Sequence, residues 1–434
     1  MRIAITTLGC KVNQYESQAM EEILLSRGHS LVPFEDLADV YIINSCTVTA
    51  VSDKKSRQTV RQARKRAPEA IVALCGCYPQ VSPEEAADLP ADLIGGSGDR
   101  MGFLNLLEGL AENRTKTVSL DEAFQRRAFE YLPAGGLEGR TRAMLKVEDG
   151  CTNFCSYCII PYARGPVRSL PLDQAVAEAK ALEEKGYREL TLTGIEISSY
   201  GRDLEGRPGP ADLIEAVCRA VPEMRVRLGS LEPRTVTEDF CQRLKVLPNL
   251  CPHFHLSMQS GCDETLARMK RKYDTARYYE SVELLRKHFD RPGITTDMIV
   301  GFPGETEEEF EQTLAFIRKC GFSQIHIFPY SRRQGTPAAA MSGQLTTAEK
   351  AERAHRGAEV AEAMQKSWLA GWVGQTVPVL FEEEKGGFWR GYTPQYMEVK
   401  VQSGRDLHNQ IHNVAVTAAG ENQVFGRLLE EEPT

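Results

Sequence analysis

The sequence predicts an α/β protein with three parts: an N-terminal parallel α/β domain, a central partial (βα)6 barrel and a small all-β module at the C-terminus. Short β-rich runs alternate with helical patterns over most of the chain, which is typical of parallel sheets. Towards the end this rhythm gives way to short β-like runs separated by glycines. A chain of 434 residues also exceeds the usual size of one hydrophobic core, so several domains are expected.

Residues 1–112 are predicted to form the N-terminal domain. Three runs in it favour β-structure, and the segments between them are long enough for crossover helices. The predicted strands are Ile3–Thr7, Val40–Asn44 and Ala70–Leu74. Residues 113–142 have weak periodicity and contain the turn sequence Pro133-Ala134-Gly135-Gly136, so we interpret them as a linker.

Residues 143–370 are predicted to form the central barrel from strand-then-helix units. The predicted strands are Ala143–Val147, Glu189–Leu192, Val226–Leu228, His253–Ser257, Ile294–Val300 and Gln324–Phe328. Thr306 and Glu309 form a predicted capping box in front of an apolar helical pattern. A long amphipathic helix over Thr346–Trp368 is expected to lead out of the barrel.

Residues 371–434 are predicted to form the β module. Its expected strands are Val377–Phe381, Tyr396–Val401 and His412–Thr417. The whole composition is that of a globular protein, with 42% hydrophobic and 26% charged residues. A net charge of −8 argues against a protein coated in basic surface, although it leaves room for a local basic patch.

No stretch of the sequence has the roughly 20 apolar residues of a membrane span, and the N-terminal apolar run is too short for a signal peptide. Cytoplasmic residence without a membrane is therefore expected. In a reducing cytosol the twelve cysteines are better explained as metal ligands, catalytic thiols or core residues than as disulfides. The spacing of the cysteines along the sequence distinguishes between these explanations.

Cys151, Cys155 and Cys158 form a C-x3-C-x2-C run directly after a predicted strand and the turn residues Asp149-Gly150. Three thiolates suit a four-iron, four-sulfur cluster that leaves one iron open for a substrate. A zinc site is the alternative, but it would need a fourth ligand, and no histidine lies close in sequence.

The run resembles the signature of radical S-adenosylmethionine (radical SAM) enzymes, in which an aromatic residue, here Tyr157, precedes the last cysteine. The resemblance implies that the open iron is chelated by S-adenosylmethionine. It also implies reductive cleavage to a 5′-deoxyadenosyl radical, which requires an electron donor such as flavodoxin or ferredoxin.

Cys10, Cys46 and Cys77 each follow a predicted strand of the N-terminal domain. The carboxyl ends of parallel strands meet at one edge of a sheet, so these thiols could converge on a second metal site. Buried core cysteines are the alternative. Cys75 would share a strand face with Cys77, and either could then be the ligand.

The segments Thr7–Glu16, Asn44–Thr47 and Gly76–Gln80 resemble the N-terminal motifs of the methylthiotransferases, which hold a second cluster. This resemblance favours Cys77 over Cys75. The Cys-Lys-Val-Asn-Gln-Tyr-Glu form starting at Cys10 is similar to the threonylcarbamoyladenosine tRNA branch. The isopentenyladenosine tRNA and ribosomal-protein branches remain alternatives. A sulfur source is implied as a further partner.

Other segments resemble this family, including Pro161–Gly165 and Gly229–Pro233, and the β module resembles a TRAM domain. Two positions depart from the family pattern: Leu170 stands where an arginine is expected, and Met258 replaces a usual leucine. The resemblance implies transfer of a methylthio group to threonylcarbamoyladenosine in the tRNA anticodon loop. A noncatalytic iron–sulfur carrier or RNA-binding scaffold is the remote alternative.

Residues at the ends of predicted barrel strands are expected near S-adenosylmethionine, because such barrels place their sites at this edge. They are Thr193, Gly194, Glu232 and Gln259. Lys54–Arg66 is a dense basic run that suits either a solvated helix face or an RNA backbone. Aromatic residues and an arginine in the β module suit either base stacking or core packing. These are Phe388, Trp389, Arg390, Tyr392 and Tyr396.

Overall fold

The computed structural model describes residues 1–133 and 140–429, so most of the turn predicted at Pro133–Gly136 lies outside the described residues. The N-terminal part forms a parallel sheet with the order β2-β1-β3-β4-β5-β6. Its strands are β1 (Arg2–Thr7), β2 (Ser30–Leu31), β3 (Val40–Ser45), β4 (Ile71–Gly76), β5 (Leu93–Gly95) and β6 (Thr117–Ser119). Its helices are α1 (Lys11–Ser26), α2 (Ala50–Arg66), α3 (Cys77–Val81), α4 (Pro83–Ala87) and α5 (Arg100–Gly109).

The three strands predicted in this part are confirmed as β1, β3 and β4, each within two residues of its expected bounds. The segment predicted as a linker contributes β6, which pairs in parallel with β5. A three-residue strand is too short to show the alternation on which the prediction of strands depends.

The central part contains the six predicted strands and two further short ones. The strands are β7 (Arg142–Asp149), β8 (Arg168–Ser169), β9 (Glu189–Gly194), β10 (Arg225–Leu228), β11 (Ser230–Leu231), β12 (His253–Leu256), β13 (Gly293–Val300) and β14 (Gln324–Pro329). The helices are α6 (Ile160–Arg164), α7 (Leu172–Glu184), α8 (Pro210–Ala220), α9 (Glu238–Leu244), α10 (Asp263–Arg268), α11 (Thr275–His288) and α12 (Glu307–Cys320).

These strands form two four-stranded sheets, β10-β9-β7-β8 and β11-β12-β13-β14, which together make a partial barrel. The capping box at the start of α12 is confirmed, because the Thr306 hydroxyl accepts a hydrogen bond from the Glu309 backbone N–H at 3.2 Å. Helix α1 of the N-terminal part packs against β7 and β9. The N-terminal sheet is thereby held against one half of the barrel.

The C-terminal part begins with α13 (Thr347–Ala370), which confirms the predicted long helix. A closed barrel of strands follows, with β15 (Thr376–Lys385), β16 (Phe388–Tyr392), β17 (Glu398–Val401), β18 (Ile411–Ala419) and β19 (Val424–Leu428). Trp389 is buried in its hydrophobic core. No helix within residues 1–133 and 140–429 is long and apolar enough to cross a membrane.

The C-terminal barrel docks on the amino ends of the central strands. Arg225 on β10 is buried and donates hydrogen bonds to the carbonyls of Tyr392 and Pro378, both at 3.2 Å. Tyr392 and Tyr396 stack on each other with centroids 5.0 Å apart, and Arg142 lies over the Tyr392 ring at 4.8 Å. These tyrosines therefore pack between the C-terminal barrel and the central strands, which is neither the base-stacking surface nor the core packing considered for them from the sequence.

Candidate metal centres and active site

The N-terminal sheet brings Cys10, Cys46 and Cys77 to one edge. Cys46 directly follows β3, and Cys77 directly follows β4, whose last residues pair in register. Cys10 is three residues beyond β1 and is the N-cap residue of α1. Electrostatic interactions link Cys77 to both Cys46 and Cys10. The three predicted thiols are therefore neighbours.

Gly9 explains how the loop before Cys10 comes so close to Cys46. A Cβ atom on Gly9 would lie 2.8 Å from the Cys46 Cβ and 3.0 Å from its Sγ, and the backbone φ of Gly9 is +124°. Only glycine adopts this conformation at low cost. Cys75, in contrast, lies within β4 and packs in the hydrophobic core. The structure thus distinguishes Cys75, which lies within β4, from Cys77, which directly follows it at the edge of the sheet.

Cys151, Cys155 and Cys158 lie in the loop between β7 and α6. Several backbone contacts fix this loop: the Cys151 N–H donates to the Gly165 carbonyl and the Cys158 N–H to the Cys155 carbonyl, both at 3.0 Å. Gly150 enters the loop with φ +91°, and a Cβ there would lie 2.0 Å from the Pro166 carbonyl oxygen. The turn predicted at Asp149-Gly150 is therefore tightly constrained.

A guanidinium faces each set of cysteines, fully buried for Arg164 and half-buried for Arg271. Arg164 donates from Nε to the Cys77 Sγ at 3.3 Å, and Arg271 donates from Nη1 to the Cys155 Sγ at 3.2 Å. Burial raises the pKa of Cys77 and Cys158 to about 12, so these thiols are protonated until iron displaces the proton. A cation beside the sulfur favours the thiolate that a cluster requires.

A buried charge network connects the two cysteine loops. Glu16 on α1 pairs with Arg164, with Arg100 at 2.8 Å and with Lys146 at 3.4 Å, and all four side chains are fully buried. Burial alone raises the pKa of Glu16, but the three cations together hold it well below its usual range. The same Arg164 and Lys146 approach Asp149, two residues before Cys151.

This network contains more buried positive than negative charge. Its cations are Arg100, Lys146, Arg164 and Arg168, and its carboxylates are Glu16 and Asp149. Buried charge is costly unless it is compensated. Thiolates bound to iron beside Arg164 would supply the missing negative charge, so the surroundings fit a cluster at Cys77.

The described residues contain no compact site for a single metal ion. Within residues 1–133 and 140–429, no three or more His, Cys, Asp or Glu side chains lie close enough together to hold one metal ion. Each cysteine of a cubane binds a different iron, so its ligands surround the cluster and do not meet at a single point. The arrangement therefore does not resemble a closed zinc site.

The residues predicted near S-adenosylmethionine lie at the carboxyl ends of the barrel strands, but in different places. Thr193 and Gly194 end β9, where Gly194 pairs with Glu148 of β7. Glu232 lines a small cavity together with Cys155 and Arg271.

Tyr157 lies in the cysteine loop and packs against a small apolar cluster that includes Phe302 and Tyr330. Gln259 lies beyond the end of β12 and has a φ of +70°. Its backbone N–H donates to the Asp297 carbonyl and its carbonyl accepts from the Ile299 N–H, and both partners are on β13. The predicted residues thus surround the cysteine loop without forming one contiguous group.

Two carboxyl groups beside the cysteine loop were missed by the sequence predictions. Glu148 Oε2 accepts a hydrogen bond from the Glu196 backbone N–H at 2.6 Å, and Glu196 Oε2 accepts one from Asn153 at 3.2 Å. The Oε1 atoms of both glutamates are buried without a hydrogen-bond partner among the described residues. Burial raises the pKa of both groups. A cationic ligand would satisfy these orphaned oxygens.

One sequence signal could have identified Glu148. It is a charged residue directly after the strand predicted at Ala143–Val147, where loops of α/β proteins carry functional side chains. A β-bulge between Lys146 and Glu148 interrupts the alternation of β7, so the sequence alone could not assign these two side chains to a face. Arg271 carries no comparable signal, because its role depends on a contact with Cys155 across 116 positions of sequence.

Replacing Glu16 by leucine is expected to lower the free energy of unfolding by about 3–5 kcal/mol, because buried cations lose their main counter-charge. Urea unfolding of the iron-free protein would measure this loss. Glu280→Gln is a matched control that breaks an exposed pair with Arg277 and is expected to cost less than about 1 kcal/mol. Equal small losses in both variants would contradict the role assigned to Glu16.

The chain is similar to known proteins over its whole length. Residues 145–317 match the model of the Radical SAM superfamily, and residues 2–96 match that of Uncharacterized protein family UPF0004. The threonylcarbamoyladenosine tRNA methylthiotransferase MtaB of Bacillus subtilis (strain 168) is 37% identical over 442 residues, covering 100% of this chain and 98% of that protein.

A tRNA-2-methylthio-N(6)-dimethylallyladenosine synthase of Symbiobacterium thermophilum is 34% identical and covers 100% of this chain and 95% of its own length. Among solved structures, the radical S-adenosylmethionine methyltransferase TsrM of Kitasatospora setae aligns with a TM-score of 0.57 at 14% identity. The alignment covers 84% of this chain and 89% of that one. At this identity the structural likeness supports the fold alone.

Proposed function

The chain belongs to the family of threonylcarbamoyladenosine tRNA methylthiotransferases, and from this membership we propose that it acts on threonylcarbamoyladenosine next to the anticodon of tRNA. The product is the 2-methylthio derivative of this nucleoside. The observation that carries the proposal is the identity of 37% with the Bacillus subtilis enzyme over the full length of both chains. The alternative substrates are isopentenyladenosine in tRNA and an aspartate of a ribosomal protein.

The cofactors of this family are four-iron, four-sulfur clusters and S-adenosylmethionine. We assign one cluster to Cys151, Cys155 and Cys158 and a second to Cys10, Cys46 and Cys77. A guanidinium that donates to a cysteine sulfur in each set supports this division. When bound, these groups supply the 5′-deoxyadenosyl radical, the sulfur and the methyl group. The chain itself holds the two sets of ligands at a fixed separation through the network around Glu16.

The carboxyl ends of the barrel strands are assigned to S-adenosylmethionine. Glu148 and Glu196 present unpartnered carboxyl oxygens beside the cysteine loop and suit the positive sulfonium and ammonium groups of this cofactor. Gly194 has no side chain, which allows Glu148 to lie against its backbone: a Cβ on Gly194 would come within 2.8 Å of the Glu148 Oε2 atom. The other residues assigned to its surroundings are Tyr157, Thr193, Glu232 and Gln259.

Several partners follow from this chemistry. We propose a protein electron donor such as flavodoxin or ferredoxin for the radical step, and a separate sulfur source for the cluster at Cys77. A tRNA anticodon loop offers an unpaired adenosine whose base can be exposed, which suits removal of a base hydrogen. We also propose that the protein acts in the cytoplasm, where its tRNA substrate is found.

The decisive test compares substrates under identical conditions. Protein with reconstituted clusters is incubated with S-adenosylmethionine, a reductant and an anticodon stem-loop RNA that carries either threonylcarbamoyladenosine or isopentenyladenosine. Mass spectrometry of the nucleosides is expected to show the methylthio product from the first RNA only. Product from isopentenyladenosine alone would assign the chain to the rival substrate.

Absence of product with either RNA, together with no cleavage of S-adenosylmethionine, would favour the noncatalytic alternative. Cells with and without the gene provide the matching test in vivo, since their tRNA nucleosides should differ in 2-methylthio-threonylcarbamoyladenosine.

A further inference from the structure

Three exposed aromatic side chains meet beside the C-x3-C-x2-C loop. Phe124, Phe154 and Tyr162 expose 45%, 42% and 39% of their surface. The rings of Phe124 and Phe154 are within 11° of parallel with centroids 6.4 Å apart, and Tyr162 presents an edge to each at 6.0 Å. We call these three side chains the aromatic platform. None of them has a role in the assignments made above.

Phe154 belongs to the cysteine loop itself, between Asn153 and Cys155. Its backbone φ is +48°, an uncommon conformation for a bulky residue. Such strain persists where the surrounding structure enforces it, often at a binding site. The strain therefore holds a large apolar ring at the surface, although burial would be the more favourable state for it.

Unpaired cations surround the aromatic platform. Arg127 donates to the Phe124 carbonyl at 2.7 Å, and Lys272 donates to the Asn153 side chain at 3.1 Å. Arg332 lines the same groove as Phe124 and Tyr162. All three cations are exposed, and none forms an ion pair with a carboxylate in the part of the chain that the structure describes. This combination of flat rings and free cations suits single-stranded nucleic acid.

The groove beside the platform lies between the two cysteine loops. It has a volume of about 1100 Å³. One side of the groove includes Gln80, which lies on the helix that begins at Cys77. The other side includes Ile159, the residue after Cys158. A nucleoside that loses a hydrogen to the radical and then receives a sulfur atom has to lie close to both cysteine loops. An electron donor needs to approach only one of them.

The groove carries a small excess of negative charge. Five carboxylates line it against three arginines, so a phosphate backbone gains little inside it. The carboxylates are Asp53, Glu84, Glu85, Asp121 and Glu122, and the arginines are Arg57, Arg332 and Arg333. Uncharged base faces stack on aromatic rings regardless of such charges. The backbone of a bound RNA would then follow the free cations, with its bases turned towards the rings.

We infer that Phe124, Phe154 and Tyr162 form a stacking site for an unpaired base of the anticodon loop that neighbours the modified adenosine. This inference rests on the proposed function for the identity of the RNA. Stacking of a neighbouring base outside the stem would hold the loop open and leave the target base free to enter the groove.

The test uses full-length protein with reconstituted clusters and an anticodon stem-loop RNA that carries threonylcarbamoyladenosine. 2-Aminopurine replaces each other loop nucleotide in turn, because its fluorescence is quenched when it stacks on an aromatic ring. Wild-type protein should quench at least one position. The double variant Phe124→Leu/Tyr162→Leu should lose this quenching and bind the RNA about tenfold or more weakly.

Three controls make the result specific. Tyr131→Leu removes an equally exposed ring outside the platform and should leave affinity and quenching unchanged. The ring-retaining variant Phe124→Trp/Tyr162→Phe should bind and quench like wild type. Cleavage of S-adenosylmethionine without RNA should persist in every variant, because Phe154 and the cysteine loop are untouched.

The inference is overturned if wild type quenches at no position, or if the double variant binds and quenches like wild type. Equal loss of affinity in the ring-retaining variant would also overturn it. If the double variant binds RNA normally but is reduced more slowly by flavodoxin, the rings serve a protein partner and the inference is wrong. Failure of wild type to form the methylthio nucleoside while quenching persists would refute the proposed function and leave the stacking site intact.

Discussion

Cys155→Ala is expected to reduce cleavage of S-adenosylmethionine to the level of iron-free protein. The same result is expected for Cys151→Ala and Cys158→Ala, because a cubane with an open iron has no protein ligand to spare. Cys155 also accepts the hydrogen bond of Arg271, so its replacement leaves a half-buried guanidinium without its sulfur partner. The measurement is formation of 5′-deoxyadenosine by reconstituted protein with a chemical reductant.

Cys218→Ala and Cys320→Ala are the matched controls for this experiment. Both side chains are buried away from the loops that carry the proposed ligands, and burial raises the pKa of each thiol to about 12. These variants are expected to keep cleavage activity and to lose about 1 kcal/mol of stability. Substantial cleavage by Cys155→Ala would contradict the assignment of the radical centre.

The second large effect concerns the N-terminal cysteines. A variant with Cys10, Cys46 and Cys77 all changed to alanine is expected to cleave S-adenosylmethionine but to form no 2-methylthio nucleoside. The reason is that the radical centre lies on a separate loop with its own three ligands. Iron content should fall to about half of the roughly eight atoms expected for two clusters.

Cys75→Ala is the control for the triple variant. Cys75 is one strand position from the cysteine edge but packs in the core, so its replacement should change neither iron content nor product. The assignment of the second cluster would be refuted by an unchanged iron content in the triple variant. Simultaneous loss of both activities would show instead that the two centres do not function independently.

The features that could be predicted from the sequence are those that depend on a local pattern of residues. The strands before Cys10, Cys46 and Cys77 were recognisable from β-rich runs, and the rule for parallel sheets then placed the three thiols at one edge. The C-x3-C-x2-C spacing likewise located the loop after β7. The resemblance to methylthiotransferases selected Cys77, and the structure places that residue beside Cys46 while Cys75 packs in the core.

What the sequence could not predict depends on contacts between distant segments. Arg164 and Glu16 are 148 positions apart, and neither residue type indicates a buried ion pair between two parts of the chain. The platform combines residues from two distant segments, and its exposure follows only from their packing. Tyr392 and Tyr396 show the same limit, because aromatic composition alone does not distinguish a stacking surface from an interface.

The docking of the C-terminal barrel has a consequence for how the chain is made. Arg225 forms no ion pair in the described parts of the chain, and its acceptors lie 167 and 153 positions later, at Tyr392 and Pro378. At ribosomal rates of about 5–20 residues per second, these acceptors are synthesised roughly ten to thirty seconds after Arg225. During this interval Arg225 remains hydrated at the open amino ends of the central strands. Its burial is therefore expected to wait for the synthesis of the final module.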